Sequence, residues 1–445
     1  MTYKEHFLKN ISLAYPVMLS QLGHVVVGVA DSIMVGQLGT EELAAVSLGG
    51  APFYVVMLFG IGVSYALTPL VAAAEGQNQQ SGIRSLLKHA VILDTIVGVL
   101  LFLLLYFGGP LLSYFDQEPE VVDLALPYLN IIAGSLIPVM IFQGFRQFGE
   151  GLSYTKQAMY ISISANVINI ILNYFLIYGI WIFPELGMNG AGWATLISRV
   201  LMMIVMVWFV FKFKDFKPYT TGFNFRNYEW KIWKKLLKIG IPSGLQFVFE
   251  VGAFAMAAIM VGWLGAVPLA AHQIALNLSG ITYMTASGIS AAATIRVGNQ
   301  LGKNDISTLR RVGFTCVIMA SVFMAICGLI FILGKTALPG FYVDDAAVIA
   351  LSADLLIVAA FFQISDGIQV VGLGALRGLA DVKIPTIVTM VAYWFIAIPV
   401  GYVLGITLDM GSIGIWIGLL IGLTLAAVAH FWRFQHLTRR LMTLV

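Results

Sequence analysis

Residues 16–84 recur at 242–310 without a gap, and no other feature of the chain restricts its fold as much. At this offset of 226 positions Pro16 falls on Pro242, Ile33-Met34-Val35-Gly36 on Ile259-Met260-Val261-Gly262, and Leu43-Ala44-Ala45 on Leu269-Ala270-Ala271. Further along, Gly62 meets Gly288, Ser64 meets Ser290, Thr68 meets Thr294 and Arg84 meets Arg310. Roughly three positions in ten are identical, which marks an internal repeat and not merely a shared apolar composition. The copies also differ in a telling way: Asp31 lies over Ala257, and Glu250 lies over His24.

The chain between and around the copies is 59% hydrophobic and 11% charged over 445 residues, a composition that excludes a soluble protein. Its apolar runs are each long enough to cross a bilayer, which takes about 20 helical residues. Lipid offers the backbone no hydrogen bonds, and the runs lack the alternation of a strand barrel, so the spans are expected to be helices. Twelve are expected, near 11–37, 43–73, 87–108, 122–145, 158–180, 189–211, 236–263, 268–295, 312–334, 347–375, 384–407 and 412–432. An even number of crossings then separates the copies. The expected fold is an all-α integral membrane protein of two six-helix halves related by a pseudo-two-fold axis along the membrane normal. Its parts are an N-terminal lobe (1–211), a basic linker (212–235) and a C-terminal lobe (236–445).

Loop charges support this count. One set of loops carries Arg84, Lys88, Arg146, Lys156, Arg296, Lys303, Arg310, Arg311, Arg377 and Lys383, and the linker and C-terminal tail fall on the same side. The opposite loops carry Glu41, Glu42, Asp116, Glu118, Glu120, Glu185, Asp344, Asp345 and Asp409, with Lys335 as their one base. Lys and Arg are retained inside, so both termini are expected in the cytoplasm. A net charge of +3 gives no reason to expect a nucleic-acid partner. Cys316 and Cys327 lie about 16 Å apart along one helix, too far for a disulfide within it.

A charge inside lipid is costly, so each ionisable residue within a span is a candidate for function. Asp31 stands in the first span. Asn169 and Asn173, one turn apart on the fifth span, and Thr195 on the sixth offer amide and hydroxyl oxygens. One carboxylate with such neighbours suits a hard monovalent cation, and alone it can take a proton instead. Glu250 on the seventh span and Asp366 on the tenth form a second acidic set, able to share a proton, bind a cation or pair with an organic cation. Asp94, Asp354, Arg199 and His24 are further ionisable residues at depth. Pro16 and Pro242 each remove a backbone hydrogen bond inside a first helix, which makes Pro16 a candidate hinge.

Taken together, these motifs resemble the multidrug and toxic compound extrusion (MATE) transporters, in particular their NorM-like bacterial branch. The resemblance rests on Asp31-Ser-Ile-Met-Val-Gly, on Glu250 followed by Leu269-Ala-Ala-His-Gln-Ile-Ala-Leu-Asn277, and on Asp366 followed by Gly374-Ala-Leu-Arg-Gly378. It covers nearly the whole chain. It implies secondary active efflux of cationic amphipathic compounds in exchange for Na⁺ or H⁺, by alternating access between two lobes in the bacterial inner membrane. It also implies ion coupling at Asp31, Asn169, Asn173 and Thr195 or at Glu250 and Asp366, and drug contacts at Gln273, Tyr283, Asp344 and Asp345. Some members have a tyrosine one turn before the span-ten aspartate. Here that place is Phe362, which has no oxygen, and the expectation shifts towards Asp31.

No His-Glu-x-x-His, Gly-x-Ser-x-Gly or P-loop sequence occurs, so an enzyme is not expected and an ion gradient is the expected source of energy. No cofactor is expected, and one chain, carrying both halves, is expected to suffice. The alternative reading, a flippase for an anionic lipid-linked substrate, needs cationic groups around phosphates. Here the charges at depth are mainly acidic, with Arg199 as the exception.

Overall fold

The computed structural model describes residues 3–114, 118–224 and 226–443; Asp116, assigned above to the outer loops, lies outside them. Twelve long helices run through these residues: α1 (Tyr3–Gly36), α2 (Thr40–Gly76), α3 (Gln80–Gly108), α4 (Pro119–Gly151), α5 (Thr155–Tyr178), α6 (Met188–Lys212), α7 (Trp230–Gly262), α8 (Ala266–Gly302), α9 (Ile306–Leu333), α10 (Ala346–Gly378), α11 (Lys383–Thr407) and α12 (Gly411–Met442). Among the described residues eleven of these are both long and apolar enough to cross a membrane. The remaining one, α8, has the length at 37 residues, but His272, Gln273, Asn277 and Ser279 dilute its apolar run.

Contacts divide the chain into two compact units, one of residues 19–244 and one of residues 1–18 with 245–445. The two breaks are themselves 226 positions apart, the offset of the repeat. The first turns of α1 therefore pack with the helices of the second copy, and the first turns of α7 with those of the first copy. The lobe scheme of 1–211 and 236–445 follows chain order; packing assigns these two short segments the other way.

Glycines explain the assignment. In the first unit a Cβ on Gly62 would stand 2.6 Å from the Gly244 Cα and 2.8 Å from the Ser243 carbonyl oxygen, so α2 and α7 meet backbone to backbone. In the second unit Gly288 of α8 occupies the matching place, and a Cβ there would be 2.8 Å from the Ala14 carbonyl oxygen of α1. Small residues that let helix backbones approach are the main device of helix packing in lipid. The first turns of α1 are also pinned by Arg296, which donates to the His6 carbonyl at 2.9 Å and to the Asn10 side chain.

The repeat is visible at single turns. Asn78 and Asn304 end α2 and α8 with φ of 57° and 56°, the left-handed conformation that asparagine tolerates best after glycine. In both, the amide of the following residue reaches back to close the helix: Gln79 to the Ala74 carbonyl at 2.9 Å and Asp305 to the Gln300 carbonyl at 3.1 Å. Thr68 donates to the Gln147 carbonyl of α4 at 3.3 Å, and Thr294 to the Gly374 carbonyl of α10 at 2.8 Å.

Other features break the symmetry. The helical run of α2 is interrupted at Tyr65–Ala66 and that of α4 at Ser135, whereas α8 and α10 run through. α11 widens into π-turns at Val391–Ala397 and Val403–Thr407, on either side of Pro399, which lacks the amide a regular turn would use. α1 continues as helix through Pro16. Cys316 and Cys327 are both free and buried.

Candidate functional site

In the first unit the carboxylate of Asp31, on α1, meets α5. Asn173, fully buried, donates from its amide nitrogen to Asp31 Oδ1. Asn169 stands one turn earlier on the same helix face. With its amide oriented by its neighbours, its nitrogen donates to Asp31 Oδ1 at 3.2 Å and its oxygen accepts the Thr195 main-chain N–H of α6 at 3.2 Å. The Thr195 and Ser198 hydroxyls both lie 3.4 Å from this amide. Asp31, Asn169, Asn173 and Thr195 therefore form one network across α1, α5 and α6. The Asn173 Oδ1 is buried and has no hydrogen-bond partner. A buried amide oxygen without a donor is costly, so the arrangement has an acceptor to spare beside a carboxylate.

Arg199, also on α6, donates to the Ser135 hydroxyl at 2.7 Å and stacks 5.0 Å from the Phe53 ring. It also interacts electrostatically with Asp31 and Tyr128. Ser135 is also where the helical run of α4 is interrupted. His24 is exposed and outside the Asp31 network of hydrogen bonds. Asp94 is 2% exposed, its Oδ2 lacks a partner, and that oxygen would be 2.8 Å from a Cβ on Gly144.

In the second unit Glu250 of α7 and Asp366 of α10 are buried at 6% and 4% exposure and interact electrostatically. Tyr393 of α11, fully buried within a π-turn, interacts with both. Its hydroxyl has no hydrogen-bond partner. Phe362 packs against the rings of Phe254 at 6.1 Å and Trp416 at 5.8 Å. Tyr393 joins the same buried cluster as Phe362, its ring 6.0 Å from that of Phe254. Sequence reasoning missed Tyr393 because only packing brings α11 beside α7 and α10. Its position between an apolar run and Pro399 gave no sign.

The residues expected to touch drug are dispersed over two elements. Gln273 is exposed on α8 and donates to Asn277 Oδ1 at 3.4 Å, and Tyr283 stands further along the same helix. Asp345 caps the start of α10, accepting from the Ala347 amide at 2.8 Å and the Val348 amide at 3.1 Å. Asp344 precedes it in the turn and Asp354 is exposed on α10.

A family model described as MatE matches the chain twice, at residues 16–175 and 242–403. A probable multidrug resistance protein NorM of Rhizobium meliloti (strain 1021) is 33% identical over 444 residues, covering 99% of this chain and 95% of that protein. A multidrug resistance protein NorM of Photobacterium profundum is 34% identical over 437 residues, with 97% and 96% covered. Among solved structures, a multidrug resistance MATE transporter in an outward-facing conformation superposes with a TM-score of 0.90 at 21% identity, covering 98% of this chain and 97% of the other. A eukaryotic MATE transporter superposes at 0.87 and 20% identity, with 99% and 98% covered. At these identities the structural likeness speaks for the fold alone.

Proposed function

Since the chain belongs to the MATE family of transporters, we propose that it is a multi-pass secondary active efflux transporter, exporting cationic amphipathic compounds in exchange for Na⁺, or for H⁺ in its place. The observation that carries the reading is the Asp31 network. A carboxylate with an unpaired buried amide oxygen beside it offers a cation one charge and several oxygens. Glu250, Asp366 and the Tyr393 hydroxyl form the second acidic set, suited to a proton or a cationic substrate. Buried acids that interact are neutralised by a proton or by a cation.

Antiport follows from competition. Ion loading neutralises acids that a cationic drug also requires, so binding of one weakens binding of the other and the gradient sets the direction. Alternating access of the two halves, with Pro16 as the hinge, completes the cycle. Gln273, Tyr283, Asp344 and Asp345 are the proposed drug contacts, Asp345 through the turn it holds in place. The chain works as a monomer in a bacterial inner membrane, with both termini in the cytoplasm.

The test is efflux of a fluorescent cationic dye from proteoliposomes, driven in turn by a sodium and a proton gradient, for wild type and Asp31→Asn. Sodium-driven efflux lost in the variant supports the reading with Na⁺; proton-driven efflux lost in the variant changes the ion. Efflux that stays coupled in Asp31→Asn moves the ion site to Glu250 and Asp366. Folded protein that moves dye under neither gradient overturns the reading and favours a flippase.

A further inference from the structure

The linker is not a loose tether. Three side chains of α3 hold its backbone. Arg84 donates to the Pro218 carbonyl at 3.0 Å and the Tyr219 carbonyl at 3.3 Å. Lys88 donates to the Arg226 carbonyl at 2.6 Å and the Asn227 carbonyl at 2.8 Å. His89 accepts the Glu229 amide at 2.9 Å. Alongside this clamp, the first two turns of α3 and the linker enclose a cavity of about 200 Å³, lined by Ser81, Arg84, Ser85, Lys88, Asn224 and Arg226 among others and, among the described residues, by no acidic one. That volume is several times the ~30 Å³ share of one water in the liquid. Lys88 is 9% exposed; the linker carbonyls take two of its three N–H groups, and its ammonium lies 5.3 Å from the centroid of the Tyr228 ring. Charge is thus concentrated at the cavity wall with no lining carboxylate to balance it.

The repeat shows what is missing. Position 79 matches position 305, where Asp305 caps the start of α9, accepting from the Thr308 amide at 3.0 Å and lying 3.3 Å from the Ser307 hydroxyl. At the start of α3 the same place is Gln79, which makes no side-chain cap. One copy of the unit supplies its own anion at this helix start. The other has none, and instead has Arg84, Lys88 and Arg226 around a cavity beside it. Converging cations with no lining carboxylate are an arrangement that holds phosphate.

We propose that this cavity binds a phosphate group, held by Arg84, Lys88 and Arg226 close to the helix start that Asp305 caps in the second copy. Positive loop charge puts the site on the cytoplasmic face, where phosphate is available from anionic phospholipid headgroups and from soluble phosphate compounds. Tyr228, Trp230 and Trp233 follow the cavity in sequence, and Tyr and Trp are the residues enriched at membrane interfaces. The bound group would bridge α3 and the linker, and so fix the segment that joins the two copies of the repeat.

The experiment uses the full chain in neutral detergent, titrated with inorganic phosphate in one arm and dihexanoyl-phosphatidylglycerol in the other, with dihexanoyl-phosphatidylcholine as the uncharged control. Binding is read by calorimetry and thermal unfolding for wild type, Arg226→Ala, Gln79→Asp and, outside the cavity, Lys231→Ala. The expected result is saturable binding to wild type and Lys231→Ala, weakened at least about tenfold in Arg226→Ala and Gln79→Asp, while Gln79→Asp unfolds at or above the wild-type temperature. Binding of the lipid alone assigns the group to the membrane; binding of inorganic phosphate as well assigns it to a site open to solutes. Either supports the proposal. No saturable binding to wild type in either arm, equal weakening by Lys231→Ala, or undiminished binding to both Arg226→Ala and Gln79→Asp overturns it.

Discussion

The two copies of the repeat share a frame and differ in their polar interior. Thr68 and Thr294 hold matching carbonyls, Asn78 and Asn304 close matching helices, and Gly62 and Gly288 admit matching backbones. The acids follow no such rule. In the first unit Asp31 sits in a network of amides and hydroxyls from α5 and α6. In the second, Glu250 and Asp366 are buried and interact electrostatically with Tyr393, whose ring packs against Phe254, itself against Phe362. Under the proposed function, the first arrangement replaces the water of a small ion. Under the same proposal, the second takes a proton or a cation that stacks on aromatic faces. The lesson is that packing positions are kept between the copies where backbones must touch, while chemistry is free to diverge where helices merely enclose space.

This contrast can be broken in order of effect. Asp31→Asn should lower gradient-driven efflux by about tenfold or more, corresponding to at least ~1.4 kcal/mol of coupling, with dye binding retained. A paired Glu250→Gln variant that keeps ion dependence and loses dye binding would complete the division of labour; one that loses ion dependence while Asp31→Asn keeps it would reverse it. Gly62→Val and Gly288→Val should each lower stability by about 1–3 kcal/mol in thermal unfolding. Gly62→Val should be the worse, because it faces the backbone of Gly244, whereas Gly288 meets the flexible Met18 side chain as well as a carbonyl. Equal losses would show that the helix pairs give way alike.

Tyr393→Phe removes a buried hydroxyl that no protein group satisfies, so its melting temperature should stay the same or rise. Transport should nonetheless fall several-fold. A fall in stability with transport intact would make the hydroxyl structural. The smallest effect is at Asp305. The Thr308 hydrogen bonds hold its carboxyl below the usual carboxylate range. A depressed value means that the stabilisation is present above the ordinary pKa of about 3.9 and is lost as pH falls through the folded value. Asp305→Ala should therefore cost about 1 kcal/mol near neutrality, and its melting curve should converge with that of wild type in acid.

Much of the fold could be read directly. Apolar runs of bilayer length have one way to satisfy their backbone, so helices at 87–108 or 312–334 needed no tertiary information. Asn169 and Asn173 were legible as one face because helical spacing is local, and they do share partners around Asp31. α8 was legible by its place in the repeat, although its polar residues set it apart from the other spans.

What the sequence could not decide was which helices pack together. Pro16 and Pro242 mark the first helices of the copies, but the exchange of their first turns depends on glycines far along the chain meeting backbones there. Tyr393 joins Glu250 and Asp366 only through packing, and the linker becomes the wall of a basic cavity only because Arg84, Lys88 and His89 seize its carbonyls and an amide. By itself the sequence determined the helices, their number and their repetition, because backbone hydrogen bonding and apolar length act within a segment. Tertiary structure alone decided the partners of each polar group, because side-chain contacts in a membrane bundle are set by which backbones can approach, and the residues that permit the approach are remote from those it brings together.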